Sequence, residues 1–349
     1  MSLWLVRAGK YGEHENKFFD DNRIYLTWDG LSEADMSGIP DYDGIKQLVQ
    51  KSYPGEPIKR LGNWSGQIWA FVIAMKVGDW VVIPRKNSPT IAIGEIKSPY
   101  KFDSTATHLY QHYREIEWIN QEIPRSAFDQ DLLYSFGAFL TVCEIKRNDA
   151  EKRVRSMAHK SWKSPISLPF APTKAGNVSD LAAEETFVDL EQLARDSVAK
   201  LIIQKFKGHG MARLVEAVLK AQGFTTYLSP EGPDKGIDIL AAGGAFGFDH
   251  PRICVQVKSG DSPVDRPEFT QLIGAMQSVN ADQGLFVSWS DFKQTVYKEV
   301  PTQFFKVRLW NQNDLIEQLL VNYEKLDQDI RAEIPLKKIW MVALPDEES

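Results

Sequence analysis

Cysteine is almost absent: Cys143 and Cys254 are the only two in 349 residues, far apart in apolar, strand-like text. That spacing excludes a disulfide framework, and the six histidines show no paired ligand spacing for zinc. Two buried thiols in a reducing cytoplasm are the expectation. No apolar run reaches the length of a membrane-spanning helix. The first residues turn charged at Arg7 and Lys10, so no secretory leader is expected. Positive charge is also in deficit. Lys and Arg total 41 against 47 Asp and Glu, a net charge of −6, which disfavours broad attraction to a polyanion. Contact with nucleic acid would need a local basic face. Lys146-Arg147, Lys152 to Arg155 and Lys200 to His209 are the candidate segments, each equally readable as a solvated helix face.

What is present is an ordinary globular composition and enough chain for two domains. The N-terminal half reads as short strands with small helices. Leu3 to Val6 and Ile24 to Trp28 are strand-like. Asp41 to Ser52 is helix-like, and Asn63 to Met75 has helical spacing with Asn63 or Ser65 as a plausible cap. Trp80 to Ile83 and Thr90 to Ile96 flank Asn87-Ser88-Pro89 as a hairpin. Tyr113 to Trp118 and Gly137 to Ile145 complete the strands. Short strands around two small helices predict a compact β-barrel. The stretch from Trp162 to Asp180, with three prolines, three serines, a threonine and a glycine, reads as a linker.

The chemistry concentrates in residues 234 to 260, DKGIDILAAGGAFGFDHPRICVQVKSG. Two short apolar runs joined by a Gly-containing loop read as a hairpin. Asp238 on the first strand and Lys258 on the second can lie side by side, and alternation puts Gln256 and Lys258 on one face. A carboxylate, a polar acceptor and a lysine are what metal-assisted phosphodiester hydrolysis needs. The carboxylate holds a hard cation such as Mg2+. The cation polarises the phosphoryl oxygen and acidifies water. The lysine orients that water or offsets charge developing on the phosphate. On spacing alone, a hairpin with one exposed Asp and one exposed Lys is the favoured reading. Asp234, just before the strand, reads as a turn former or an additional acid.

D-x-G-I-D-I followed by V-Q-V-K-S resembles the Mrr-like branch of the PD-(D/E)XK nucleases, in which Gln stands where most relatives carry a second acid. HGMARLVEAVLKAQGF (209 to 224), ADQGLFVSW (281 to 289) and FFKVRLWNQNDLIEQLL (304 to 320) extend the likeness over roughly residues 190 to 340. The resemblance implies catalytic roles for Asp238, Gln256 and Lys258. It implies a metal held by Asp238 and the Val257 carbonyl, and a helper role for Gln271. Many such enzymes carry a metal-binding Glu in a phrase like F-E-x-L-V. Here that phrase is Met211-Ala212-Arg213-Leu214-Val215, without the Glu. Glu216, one helical turn on and on the same face, is the expected replacement.

The phrase M-K-x-G-D-x-V-V-x-P, the strand I-A-I-G-E-I and R-E-I-E-W resemble the PUA-like group that includes EVE and YTH modules, over roughly residues 1 to 150. The resemblance implies binding of modified nucleotides or RNA. A flipped base would stack on aromatic faces. Trp28, Trp64 and Trp69 are the candidate walls, with Asn63 or Ser65 for the base edge; Trp4, Trp80 and Trp118 read as core.

The expectation is therefore a two-domain α+β protein. A PUA-like β-barrel spans residues 1–160, a linker 161–186, and an α/β PD-(D/E)XK domain with a mixed central sheet 187–349. The expected function is a cytoplasmic Mg2+-dependent DNA endonuclease of restriction type, with Mn2+ as a substitute ion. DNA carrying modified bases is the expected partner. One active site cuts one strand, so a homodimer or target-induced dimer is expected. The competing functions are a catalytically inert sensor and an RNA-directed protein.

Overall fold

The computed structural model describes residues 1–138, 140–162, 189–232 and 236–340. Nearly all of the expected linker, Asp234 and the acidic C-terminal residues lie outside them. The chain divides into two compact units between Leu193 and Ala194. No helix among the described residues is long and apolar enough to cross a membrane.

The first unit carries strands β1 (Leu3–Val6), β2 (Arg23–Tyr25), β3 (Trp80–Pro84), β4 (Thr90–Ile96), β5 (Lys101–Phe102), β6 (His112–Pro124) and β7 (Val142–Glu144). Their order is β2-β6-β4-β3-β1-β7, with β5 also paired to β6. Alternation sorts the strands onto two cores. Trp4, Val6, Val81, Ile83 and Ile96 pack on the side of helices Tyr42–Ser52 and Ile58–Trp69. Leu3, Leu5, Trp80, Val82 and Ile93 pack on the side of helices Gln130–Phe136 and Ala150–Ala158. Both faces are thus covered by helices.

That arrangement corrects the barrel expectation. The sheet is mixed and curled but open, ending at the three-residue strands β2 and β7 rather than closing. A closed barrel would line its interior with strands alone, whereas here helices fill the second core. Helix boundaries differ too. Asp41 caps its helix by accepting from Gly44 N–H at 2.9 Å. The next helix begins at Ile58, behind Pro57, so Asn63 and Ser65 are interior positions and not caps.

The second unit carries β8 (Thr225–Leu228), β9 (Ile239–Gly243), β10 (Asp249–Lys258), β11 (Gln283–Ser288) and β12 (Val307–Trp310), in the order β12-β11-β10-β9-β8. β8, β9 and β10 are antiparallel neighbours, and β10, β11 and β12 run parallel. Helices His209–Ala221 and Gln312–Asn322 pack with Ile239, Val255 and Leu285 on one face. Helix Arg266–Ser278 packs with Cys254 and Phe286 on the other. This is a mixed α/β sheet with helices on both faces. Gly223, at φ +98°, follows the helix His209–Ala221 and turns the chain into β8.

Candidate active site

Asp238 stands just before β9, and its backbone is held from both sides. Its N–H donates to Val255 O at 3.0 Å, and its carbonyl accepts from Ser229 N–H at 2.8 Å. Its carboxylate Oδ2 accepts the Val257 N–H at 2.7 Å. The side chain thereby stands in for a ladder bond at the end of the β9–β10 pair, which fixes it beside the last residues of β10.

Gln256 lies two residues before Lys258 on the same face of β10 and is only 2% exposed. Its Oε1 is buried without a hydrogen-bond partner among the described residues. Gly236 has φ +80°, and a Cβ there would sit 3.4 Å from the Gln256 Nε2. Glycine therefore serves both the backbone turn and the close approach of the amide. A buried amide oxygen left unpaired costs stability of about 1–3 kcal/mol. Such an atom calls for a water, an ion or a ligand as its partner.

Lys258 ends β10 and is 43% exposed at its side chain, with its Nζ 3.9 Å from Glu268 Oε1. Glu268 belongs to the capping box of helix Arg266–Ser278, accepting from Asp265 N–H while Asp265 accepts from Glu268 N–H. The D-x-x-E pattern that announces this cap was the available signal for placing Glu268 near the lysine.

Asp238, Val257 and Lys258 line one open cleft of about 380 Å³, together with His209, Ala212 and Glu231. Gln271 sits on an exposed stretch of helix three residues beyond Glu268 and does not line the cleft. Glu216 is not brought to the cleft either. It is 9% exposed, its Oε1 accepts from Thr226 Oγ1 at 2.8 Å, and Lys220 Nζ lies 3.0 Å from the same oxygen. The residues of that helix that do line the cleft are His209 and Ala212. Glu231 carried no motif signal, and His209 opens the 209 to 224 stretch without a role assigned to it; only the fold puts them here.

The five base-pocket candidates behave differently from one another. Successive helical positions turn by about 100°, so neighbours face apart. Asn63 is exposed and its side-chain oxygen accepts from Gln67 Nε2 at 2.5 Å. Ser65 is fully buried and donates to Leu61 O at 2.6 Å. Trp64 is buried against Tyr53, ring centroids 4.9 Å apart. Trp28 and Trp69 are half-buried against the same core. The structure therefore places Trp64 and Ser65 in the core rather than around an opening shared by all five. Trp4 and Trp80 are buried and Trp118 packs on the core. Two of the basic segments in this unit are largely engaged within it: Arg153 pairs with Asp129 and Asp131, Arg155 with Glu151, and Lys146 with Glu144.

With the cleft described, comparison with known proteins locates it. Residues 203–319 match the family of restriction endonucleases. All of the cleft residues named above fall inside that restriction endonuclease domain, which supports a nuclease role, and domains of this kind generally use divalent metal ions. Residues 4–135 match a domain of unknown function, DUF8426. Among solved structures, the chain is similar to the DNA modification-dependent restriction endonuclease AspBHI at 14% identity. The alignment covers 81% of this chain and 76% of that one, with a TM-score of 0.33. It is also similar to the MspJI restriction endonuclease in complex with a 27-mer oligonucleotide, at 13% identity, 96% and 80% coverage and a TM-score of 0.27. A comparison with curated proteins finds no match.

The donor set of the restriction endonuclease domain suits a hard cation. Asp238 offers a carboxylate and the Val257 main chain a carbonyl; Gln256, whose buried amide oxygen has no partner among the described residues, is not among the residues that line the cleft.

Proposed function

We propose that the protein is a Mg2+-dependent DNA endonuclease of restriction type, with Mn2+ as a substitute ion. The observation that supports it most is the meeting of Asp238, Val257 and Lys258 in one cleft within the stretch that matches restriction endonucleases. Asp238 and the Val257 carbonyl would hold the ion, which when bound supplies charge to polarise the phosphoryl oxygen and acidify water. Lys258 extends its ammonium into the same cleft, where it orients the attacking water and offsets charge developing on the phosphate. Gln256 directs its unpaired oxygen at a water hydrogen. Because the Asp238 carboxylate is anchored by the Val257 N–H, the acid is held in place before substrate arrives.

In this reading the N-terminal unit, residues 1–160, selects the target, DNA carrying a modified base, in the manner of a PUA-like module. Residues 187–349 cut. A dimer, constitutive or formed on the target, delivers two cuts, and the protein works in the cytoplasm, where Cys143 and Cys254 stay as thiols. A second reading, an inert nucleic-acid sensor, is favoured by Ala212 standing where the cleft would otherwise receive a glutamate.

The test is cleavage by wild type and Asp238→Ala with Mg2+ on unmodified, adenine-methylated, cytosine-methylated, hydroxymethylated and glucosylated DNA, with RNA as a further substrate. Cutting of one modified class, abolished in Asp238→Ala, supports enzyme and reader together. Cutting of every DNA keeps the enzyme and removes the reader. Cutting of RNA alone transfers the activity to RNA. No difference between wild type and Asp238→Ala leaves the sensor.

A further inference from the structure

The helix His209–Ala221 brings its first residue, His209, and the methyl group of Ala212 to the cleft but no carboxylate, and its carboxylate on that face, Glu216, is engaged by Thr226 and Lys220. Leaving that site would cost Glu216 both partners. The cleft nevertheless has a second carboxylate on its wall, Glu231, in the connection between β8 and β9. The root of that connection is tied down beside Asp238. Ser229 donates its N–H to the Asp238 carbonyl at 2.8 Å, and its hydroxyl donates to the Ile237 carbonyl at 2.6 Å. Glu231 is two residues beyond Ser229, and two residues of chain reach at most about 7 Å. The same bonds that hold Asp238 in register therefore tether Glu231 on the wall of the same cleft. Its carboxylate is exposed and has no hydrogen bond or ion pair to another described residue.

A hard divalent cation is held by carboxylates and other oxygen donors, and one carboxylate leaves half of its charge unbalanced until substrate arrives. We propose that Glu231, on the β8–β9 connection, supplies the second carboxylate of the metal site in place of an acid from the helix. The inference rests on the proposed metal-dependent reading and deepens it. The acid has changed its element of origin, from a helix to a loop, while lining the same cleft as Asp238. A loop-borne ligand also joins the metal site to Pro230 and Gly232, which line the same cleft.

The experiment is calorimetric titration of the full chain with Mn2+ in the absence of DNA, so that binding is read and not turnover. Wild type, Asp238→Asn, Glu231→Gln, Glu216→Gln and the double variant Ala212→Glu/Glu231→Gln are compared, each first checked for an unchanged melting curve. The expected result is a loss of at least about tenfold in affinity for Glu231→Gln. Glu216→Gln should stay within about twofold of wild type, and Ala212→Glu should recover most of the loss by returning an acid to the helix. Wild-type affinity in Glu231→Gln, alongside a loss in Asp238→Asn, overturns the role of Glu231 and leaves the metal-dependent reading standing. A larger loss in Glu216→Gln than in Glu231→Gln also overturns it. Equal, weak binding by wild type and Asp238→Asn removes the metal-dependent reading and this inference with it.

Discussion

Arg114 in the first unit and Lys258 in the second are both cations on long strands, and they differ in what surrounds them. Arg114 is 2% exposed. Its guanidinium donates to Phe71 O at 2.7 Å, Val72 O at 3.0 Å and Ser98 O at 3.2 Å. Two of those carbonyls belong to the π-helical turn Ala70–Ala74 that continues helix Ile58–Trp69. Carbonyls at a helix end lack partners within the helix, and Arg114 provides them. Burial pushes its pKa down to about 10, against the pull of Asp79 and Tyr100. Lys258 is exposed on a cleft, with one carboxylate at 3.9 Å. The comparison teaches how to tell a scaffold cation from a working one. The first has its donors committed to fixed carbonyls, and the second keeps donors for something that arrives.

The largest expected effect falls on Lys258, the cation proposed to act on the substrate. Lys258→Ala should lower the cleavage rate by about 10²–10³ or more while DNA affinity stays within a few-fold. Single-turnover cleavage and a binding titration at matched salt read the two quantities. Loss of binding in proportion to cleavage would place Lys258 with the phosphate-gripping residues and blunt the contrast. Arg114→Met should do the opposite, destabilising the first unit by roughly 3 kcal/mol, because three buried carbonyls lose their donors. Urea unfolding followed by tryptophan fluorescence measures it; a change under about 1 kcal/mol would mean that water replaces the guanidinium.

A smaller effect is expected at Gly236. Alanine at φ +80° is strained, and its methyl would lie in contact with the Gln256 amide, so Gly236→Ala should cost about 1–2 kcal/mol and slow cleavage as well. A variant that is destabilised but cuts at the wild-type rate would detach Gln256 from the chemistry.

The gentlest test uses pH. His112 is buried, with its Nε2 donating to Leu31 O at 2.8 Å and its Nδ1 accepting from Tyr100 O–H at 2.7 Å. Burial lowers its pKa below the ordinary 6.5, outweighing the Leu31 carbonyl and Asp35, which raise it. The unfolded chain therefore binds the proton first. Stability should be complete above pH 6.5 and fall as the pH drops from there towards the folded pKa. The carboxylates with lowered pKa values in this unit, Asp21 and Asp131 among them, add to the loss only near pH 4 and below. Melting temperatures at pH 7.5 and 5.5 check it, and His112→Asn should flatten the difference. An unchanged slope in that variant would assign the acid sensitivity elsewhere.

Much of the local structure was legible because its causes are local. Asp41 caps its own helix, Asp265 and Glu268 form a box within four residues, and alternation in Cys254 to Lys258 marks which residues face which core. The start of the helix at Ile58 was not legible, because Asn63 and Ser65 are good capping residues in any context. Only the turn at Pro57 and the packing of Trp64 make them interior. The open sheet was likewise hidden, since strand text does not say which edges meet.

By itself the sequence determined the strands, most helices, the thiol state expected of two distant cysteines, and the D-x-G-I-D-I and V-Q-V-K-S segments that pair as β9 and β10 with the residues flanking them. Tertiary structure alone decided that Glu216 bonds Thr226, ten residues away, and that Ser229 draws Glu231 to the cleft. It also decided that Arg114 reaches from its strand to the end of a helix. The reason is physical. Hydrophobic period and capping chemistry act over a few residues and are written in the chain, whereas the partner of a buried polar group is whatever packing brings within 3 Å of it.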